Sequence, residues 1–249
     1  MKISKIKIKN FRLLHDVQIN LDDRTTVLVG RNNSGKTTLA DAFSRFLHPS
    51  AVTFTIADFS TSSYEDFKTA WKHYEAGRLE KAREALPSIL LTLHISYSNK
   101  IPKYGPLSAA IIDLNTECTT AQIEIKYALK AGSLDPFFEG IEPEPVANEE
   151  LNLQHIISTI QDRIPKLFER SITAVDPGDP LNTKEIDIKT LRKIITVDFL
   201  KAQRELDDEK QKPKDLLGRI FQSLYESTTK ERDNSAPNET AKRPQGSNR

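Results

Sequence analysis

The sequence predicts an α/β fold in which antiparallel N-terminal strands lie in a mixed sheet with flanking helices. Residues 3–8 and 17–21 alternate apolar with polar side chains, as half-buried strands do. Residues 25–29 are a short apolar run rich in β-branched residues, the pattern of a buried central strand. Residues 36–47 carry apolar side chains at helical spacing. The N-terminal part therefore predicts three strands and then a helix.

Downstream, the same periodicities predict further helices and strands and then a polar tail. The predicted elements are a helix at 64–86, strands at 88–98 and 122–129, an acidic loop at about 137–150, a helix at 153–167 kinked at Pro165, a loop at 176–180, a strand at 194–200 and a helix at 214–225. Residues 230–249 contain no aliphatic side chain larger than Ala and no aromatic residue, so we expect disorder there. The domain prediction is one lobe, 1–229, and a tail, 230–249.

Composition excludes several classes of protein. The chain has 249 residues and a single cysteine, Cys118, which excludes a disulfide framework and a cysteine-based zinc site. No apolar run approaches the roughly 18 residues of a membrane span, and the first residues lead into alternation rather than a signal core. We therefore expect a soluble cytoplasmic protein without a membrane partner. A net charge of +1 is uninformative about nucleic acid.

Residues 30–37 fit the pattern G-x-x-x-x-G-K-[ST], the phosphate-binding P-loop. Gly30 and Gly35 let the backbone curl towards phosphate oxygens, Lys36 reaches the β and γ phosphates, and the Thr37 hydroxyl is a Mg²⁺ ligand. A predicted strand before the loop and a helix after it disfavour a chance match. ATP and Mg²⁺ are the predicted cofactors. The residues predicted to bind the nucleotide are Gly30, Arg31, Asn32, Asn33, Ser34, Gly35, Lys36, Thr37 and Thr38.

The order of motifs resembles a known group of ATPases. The segment Asn10-Phe11-Arg12, the run TTVLVGRNNSGKTTLADAFSRFL, the pair Asp58-Phe59 and the strand SILLTLHISYS are similar to the N-terminal lobe of ABC-type ATPases of the RecF, SMC and OLD (overcoming-lysogenization-defect) group, and most similar to OLD proteins. The resemblance implies a P-loop NTPase lobe of the ABC and SMC-like type. It also implies an ATPase that works on DNA as a homodimer, with a Toprim nuclease domain, in repair or phage defence.

The sequence departs from this group where hydrolysis is completed. A signature motif similar to LSxG, a Walker B strand ending Asp-Glu, a switch His and Toprim acidic motifs are not evident. Asp113 and Asp198 end Walker B-like segments, although an Asp in a loop or cap is the favoured interpretation of both. Gln203 stands where a Q-loop Gln would contact Mg²⁺, although a solvated Gln at a helix start is favoured. The chain resembles a first half, so we expect a second lobe or subunit to supply the signature and Walker B motifs.

Other candidate residues are less specific. Arg12 lies where related ATPases have a basic residue near the nucleotide, and a surface Arg is an equal alternative. The lysines of the first strand form a basic face that suits DNA phosphates, although solvation or edge protection is commoner; they are Lys2, Lys5, Lys7 and Lys9. The five histidines show no ligand spacing, and Trp71 is predicted to lie in the core.

The leading functional hypothesis is the ATP-binding lobe of an OLD-like, DNA-directed ATPase or endonuclease, which hydrolyses ATP very slowly as this chain alone. The alternative is a non-hydrolysing nucleotide-binding module, either truncated or a regulatory partner, because a Glu base is not evident. A small P-loop kinase fits the length, but kinases usually open directly with the P-loop strand. A GTPase is disfavoured because no N-K-x-D motif is present, and a transporter subunit because no signature motif is evident.

Overall fold

A computed structural model describes residues 1–48, 50, 53–98, 100, 104–113, 115, 117–142 and 149–197, with the backbone alone at 149–152. These residues belong to one compact unit, Met1–Phe199. Several predictions fall outside the described residues and stay predictions: Asp198, Gln203, the helix at 214–225 and the tail at 230–249.

The described part is built on one six-stranded sheet. Its strands are β1 (Lys2–Phe11), β2 (Leu14–Asn20), β3 (Ile89–Ser96), β4 (Thr120–Leu129), β5 (Phe168–Val175) and β6 (Thr183–Glu185). They are arranged in the order β2-β1-β3-β4-β5-β6, and every pairing among them is antiparallel. The predicted α/β class and the antiparallel N-terminal strands are confirmed. The predicted parallel component is not found among the described strands.

Helices flank this sheet. They are α1 (Lys36–Phe46), α2 (Tyr64–Glu75), α3 (Leu79–Ala85), α4 (Leu134–Phe138), α5 (Glu149–Ile160), α6 (Ile164–Leu167) and α7 (Ile188–Ile194). The predicted helix after the P-loop is α1. The predicted helix at 64–86 is instead a pair, because Gly77 takes a left-handed backbone (φ 70°) between α2 and α3. The predicted helix at 153–167 divides into α5 and α6 just before Pro165, which occupies the first turn of α6.

The predicted strand at 25–29 is wrong. This segment has no regular secondary structure and is not part of any described strand pair. The side chains of Val27 and Val29 are 74% and 90% exposed. A buried strand needs a hydrogen-bonded neighbour on each side, and among the described residues β1 and β2 pair with each other and with β3 instead. The apolar run therefore has strand composition without strand partners.

Two further predictions are corrected downstream. The predicted strand at 194–200 is not a strand where the structure describes it, because α7 extends to Ile194 and residues 195–197 are irregular. The acidic loop predicted at about 137–150 overlaps two helices, since α4 extends to Phe138 and α5 begins at Glu149. β5 and β6 were not predicted, although residues 168–175 contain a partial alternation.

An aromatic cluster joins α1 to the sheet. Phe54 is fully buried at its centre, with its ring 5.0 Å from that of Phe46 on α1, 5.8 Å from Phe11 on β1 and 4.8 Å from Tyr127 on β4. Aromatic contacts of this kind add to the free energy gained from burying the rings. The cluster therefore holds the apolar side of α1 against the sheet. α1 is the helix that directly follows the P-loop. Trp71 is also buried, as predicted.

Candidate nucleotide-binding site

The predicted phosphate-binding residues form a loop, residues 30–35, that leads directly into the first turn of α1, residues 36–38. Asn33 (φ 64°) and Gly35 (φ 87°) have left-handed backbone, and Gly35 immediately precedes the helix. The loop closes where the Ser34 N–H donates to the Arg31 carbonyl at 3.3 Å. Its concave side encloses about 330 Å³ and is lined by Asn32, Asn33, Ser34, Gly35, Lys36, Thr37 and Thr38. The contiguous motif thus surrounds a single cavity.

Both glycines of the motif lie close to other side chains. A Cβ on Gly35 would lie 2.9 Å from Cδ2 of the buried Leu14, and the left-handed backbone there already disfavours a side chain. A Cβ on Gly30 would lie 2.7 Å from Ser34 Oγ and 3.8 Å from Lys36 Nζ. A side chain at Gly30 would therefore enter the space that the loop encloses.

Lys36 directs its charge into the loop. Its ammonium group donates to the carbonyls of Gly30 and Arg31, each at 2.6 Å, and lies 3.2 Å from Ser34 Oγ. These acceptors are neutral, so the cation has no carboxylate partner among the described residues. The ammonium group is therefore placed to donate hydrogen bonds to negatively charged oxygens of a ligand in place of these carbonyl oxygens.

The first turn of α1 places backbone N–H donors beside this cation. The Leu39 N–H makes the first helical bond, to the Gly35 carbonyl at 2.8 Å. The N–H groups of residues 36–38 precede it and therefore have no acceptor within the helix. Unpaired N–H groups and the positive end of the helix dipole favour an anion at this position. Thr37 is exposed, so its hydroxyl is open to a metal ion bound with that anion.

The segment Asn10-Phe11-Arg12, quoted above for its resemblance, is bonded to the second segment quoted there. The Arg12 N–H donates to the Asp58 carbonyl at 3.0 Å, and the Ser60 N–H donates to the Asn10 carbonyl at 3.1 Å. Asn10 and Arg12 both have left-handed backbone, while Phe11 between them is fully buried. Two motifs distant in sequence therefore form one local structure at the start of β2.

Four charged side chains close a ring beside α1, here called the Arg–Asp ring: Arg12, Asp58, Arg45 and Asp41. Arg12 contacts Asp58 Oδ1 at 2.7 Å and Asp41 Oδ2 at 2.8 Å. Arg45 contacts Asp58 Oδ2 at 3.1 Å and Asp41 Oδ2 at 3.3 Å. Each cation thus bridges two carboxylates and each carboxylate two cations. Arg12 is therefore neither an isolated surface residue nor a cation free to meet a phosphate.

Asp58 is the most deeply buried member of the ring, with only 4% of the residue exposed. Burial alone would raise the pKa of its carboxyl group. The hydrogen bond from the Thr55 N–H, the hydrogen bond from Arg12 and the charges of Arg45 and Arg12 outweigh burial, so the pKa is lowered from its ordinary value. The ring therefore contains an ionised, fully bonded carboxylate at neutral pH.

A family model shows the class of protein to which this chain belongs. The model of the AAA ATPase domain matches residues 1–248. This chain belongs to the AAA ATPase domain family. The match supports ATP binding and an ATPase function, and it confirms the P-loop ATPase part of the resemblance. A search of the curated proteins found no match to the sequence.

The far end of α1 in this AAA ATPase domain is held by a third arginine. Arg170 on β5 donates to the carbonyls of Phe46 at 3.0 Å, His48 at 2.8 Å and Ser50 at 3.2 Å. The last carbonyls of a helix lack intrahelical donors, and a cation there also complements the helix dipole. α1 is thus bonded to the sheet at its C-terminal end while its N-terminal end carries the P-loop.

Sequence reasoning missed Asp41, Arg45 and Arg170, and assigned no role to Asp58. The spacing of Asp41 and Arg45, four residues apart on a helix, was the one local signal. Arg170 contacts residues more than a hundred positions earlier, for which one sequence carries no signal. Its segment was not predicted as a strand.

Asp113 does not join the loop. Residues 109–113 are the end of a 3₁₀ turn and irregular chain rather than a strand, so Asp113 does not terminate a Walker B strand. The adjacent Ile112 carbonyl accepts from Asn182, which directly precedes β6. The P-loop follows β2, and β2 and β6 are the two opposite edges of the sheet. A loop Asp, the favoured interpretation, is what the structure shows.

The basic face of β1 is partly neutralised. Lys2 pairs with Asp23, and Lys9 lies 3.4 Å from Asp16. Lys5 and Lys7 flank His94 on β3, and no ion pair of either lysine is found in the described part of the chain. Among the helices that the structure describes, none has both the length and the apolar character that crossing a bilayer requires.

Proposed function

We propose that this chain is the ATP-binding lobe of an OLD-like, DNA-directed ATPase that takes ATP and Mg²⁺ at residues 30–38. The observation that carries the proposal is the loop wrapped around the Lys36 ammonium at the start of α1. It supplies a cation, a row of unpaired N–H groups and a helix dipole on one concave surface. That combination suits a polyphosphate better than a single carboxylate or a neutral ligand.

The residues of the loop divide the work of binding. Lys36 would transfer its donors from the Gly30 and Arg31 carbonyls to β and γ phosphate oxygens. The backbone N–H groups up to Thr38 would hold the same phosphates, and Gly30 leaves room for their close approach. The Thr37 hydroxyl would hold Mg²⁺, with Gln203 as a further predicted ligand outside the described residues. Mg²⁺ neutralises charge on the β and γ oxygens when bound.

The exposed segment at 25–29 supports a second lobe or subunit as partner. Val27 and Val29 are largely exposed, and within the described ranges no strand pairs with their backbone. An apolar, unpaired stretch next to the P-loop is a surface that another lobe would cover. We propose that this partner, a second lobe or subunit that carries the motifs not evident in this chain, supplies the signature motif and the Walker B carboxylates, and that DNA is the target.

Lys36→Ala tests the binding site directly. Removing the charge on the β and γ phosphates should cost on the order of 2–5 kcal/mol of ATP binding free energy. Lys72→Ala, at an exposed lysine on α2, is the matched control and should bind as the wild type does. Isothermal titration with ATP and Mg²⁺ measures both. Equal affinity in wild type and Lys36→Ala would refute the site.

A non-hydrolysing nucleotide-binding module is the second candidate. It is favoured by the position of Asp113, which leaves no carboxylate in the described part of the chain identified as a base at the loop. Steady-state phosphate release, with and without duplex DNA, separates the two. We expect very slow release by the chain alone, and turnover on adding a lobe that carries the missing motifs. Turnover near about 1 s⁻¹ by the chain alone would indicate a complete active site.

A further inference from the structure

The Arg–Asp ring connects the P-loop helix to two other segments of the chain. Asp41 and Arg45 stand one turn apart on α1, Arg12 is in the turn between β1 and β2, and Asp58 ends a 3₁₀ turn. On α1, Asp41 lies about one and a half turns and Arg45 about two and a half turns beyond Lys36, at roughly 3.6 residues a turn. The ring therefore contacts the middle and the last turn of the helix whose first turn carries Lys36.

Asp58 is the member on which the other contacts depend. Its Oδ1 accepts from Nε and Nη2 of Arg12, at 3.0 and 2.7 Å. Its Oδ2 accepts from Arg45 at 3.1 Å and from the N–H and hydroxyl of Thr55 at 3.0 and 3.2 Å. Without this carboxylate, two guanidinium groups would share only the more exposed Asp41, and both would lose a partner from a desolvated site.

The ring also restrains rotation and sliding of α1. The aromatic cluster holds the apolar side of the helix through Phe46, but apolar contacts are non-directional. Hydrogen-bonded ion pairs are directional, and those of Arg12 and Arg45 fix where the polar side of α1 stands. The backbone bonds between residues 10–12 and 58–60 anchor the ring to β1.

We propose that Asp58 is a positioning residue for nucleotide binding. It acts through Arg12 and Arg45 to hold α1, and the P-loop that leads into it, in a fixed position. This inference rests on the proposed binding of phosphate at residues 30–38. Asp58 does not touch the nucleotide in this account. It sets the place of the unpaired N–H groups and of Lys36, and a shift of these donors weakens every bond to the phosphates at once.

Asp58→Asn is the primary test because it keeps size and removes the charge. The probes are ATP with Mg²⁺ and inorganic tripolyphosphate, since a displaced helix should weaken binding of both alike. We expect affinity to fall about 10-fold or more, the typical cost of losing an outer partner of a binding group. Asp58→Glu should recover part of the loss. Arg45→Lys, which keeps the charge but loses the two-pronged contact, is a second variant if Asp58→Asn does not fold.

Arg163→Gln is the matched control for general destabilisation. Arg163 also bonds several carbonyls, those of Pro136, Phe137 and Glu139, but at the end of α4 rather than beside α1. Binding is measured at a temperature where circular dichroism shows both variants folded. Weakening in Asp58→Asn alone supports the proposal. Equal weakening in both variants, or in neither, overturns it.

Amide hydrogen exchange separates this proposal from the proposed function. If the wild type binds neither ATP nor tripolyphosphate, the proposed function fails. Exchange then still decides whether Asp58 positions α1. Faster exchange over residues 36–46 in Asp58→Asn, but not in Arg163→Gln, supports that role. Unchanged exchange over these residues overturns it.

Discussion

Two apolar segments that look alike in the sequence have opposite fates in the structure. Residues 25–29 and residues 88–98 are both short segments rich in β-branched or aliphatic side chains, and both were predicted to be strands. The second is β3, which pairs with β1 on one side and β4 on the other. Leu91 and Leu93 on it are fully buried, whereas Val29 in the first segment is 90% exposed.

The difference shows that a segment with the composition of a strand forms a strand only when neighbouring strands pair with it. β-propensity measures how well a side chain fits a pleated, half-buried surface, and that surface must be supplied by neighbouring strands. For β3, that surface is supplied by β1, which precedes it in the sequence, and by β4, which follows it. Residues 25–29 have no strand neighbour in the described part of the chain, so their apolar side chains face solvent next to the P-loop.

Leu93→Ala should have the largest effect on folding. Leu93 is fully buried in β3, so its truncation leaves a cavity and should cost about 2–5 kcal/mol of unfolding free energy. Leu181→Ala is the matched control, because Leu181 is 92% exposed and its truncation should change stability by less than about 0.5 kcal/mol. Urea denaturation measures both. A similar loss in the two variants would contradict the burial assigned to β3.

Acid should weaken β3 through His94. Burial, followed by the charges of Lys5 and Lys7, lowers the pKa of His94 from 6.5 to about 4. The unfolded chain therefore takes up this proton at a higher pH than the folded one, so the stability present above pH 6.5 declines as pH falls towards about 4.

His94→Gln should lose correspondingly less stability over that pH range. His15→Gln, at an exposed histidine on β2, serves as the control and should follow the wild type. Urea denaturation at several pH values between 7 and 4 gives the profiles. Parallel profiles for wild type and His94→Gln would show that protonation of His94 does not cause the loss of stability in acid.

Gly35→Ala tests a close approach between the P-loop and β2. Alanine in left-handed backbone costs about 1–2 kcal/mol, and here its Cβ would also lie 2.9 Å from Leu14 Cδ2. Gly77→Ala has the same left-handed backbone with no atom within 4 Å of the added Cβ. We expect thermal denaturation to show a larger loss for Gly35→Ala than for Gly77→Ala. Equal losses would mean that Leu14 moves aside freely.

Val29→Ser should have the smallest effect and tests the exposed segment. At 90% exposure it should change unfolding free energy by less than about 0.5 kcal/mol. The same substitution at Val175, which is 5% exposed in β5, should cost about 1.5–3 kcal/mol. If Val29→Ser were as costly as Val175→Ser, residues 25–29 would be covered in solution and the contrast with β3 would fail.

The loop that precedes α1 could be predicted from the sequence because its features are local. Gly30, Gly35 and Lys36 act within a few residues of one another, and their spacing alone determines a loop that surrounds the lysine. The same holds for α1, β3 and β4, whose periodicities extend over whole elements. A period of 2.0 or 3.6 residues is a property of contiguous chain, so one sequence displays it.

Which of these elements pair or pack with one another could be seen only in the folded structure. The Arg–Asp ring joins Arg12 to Asp58 across 46 positions, and Arg170 reaches the end of α1 across more than a hundred. The exposure of residues 25–29 is equally a matter of which strands stand beside them. Pairing and burial depend on residues far apart along the chain, and neither propensity nor periodicity specifies those distant neighbours.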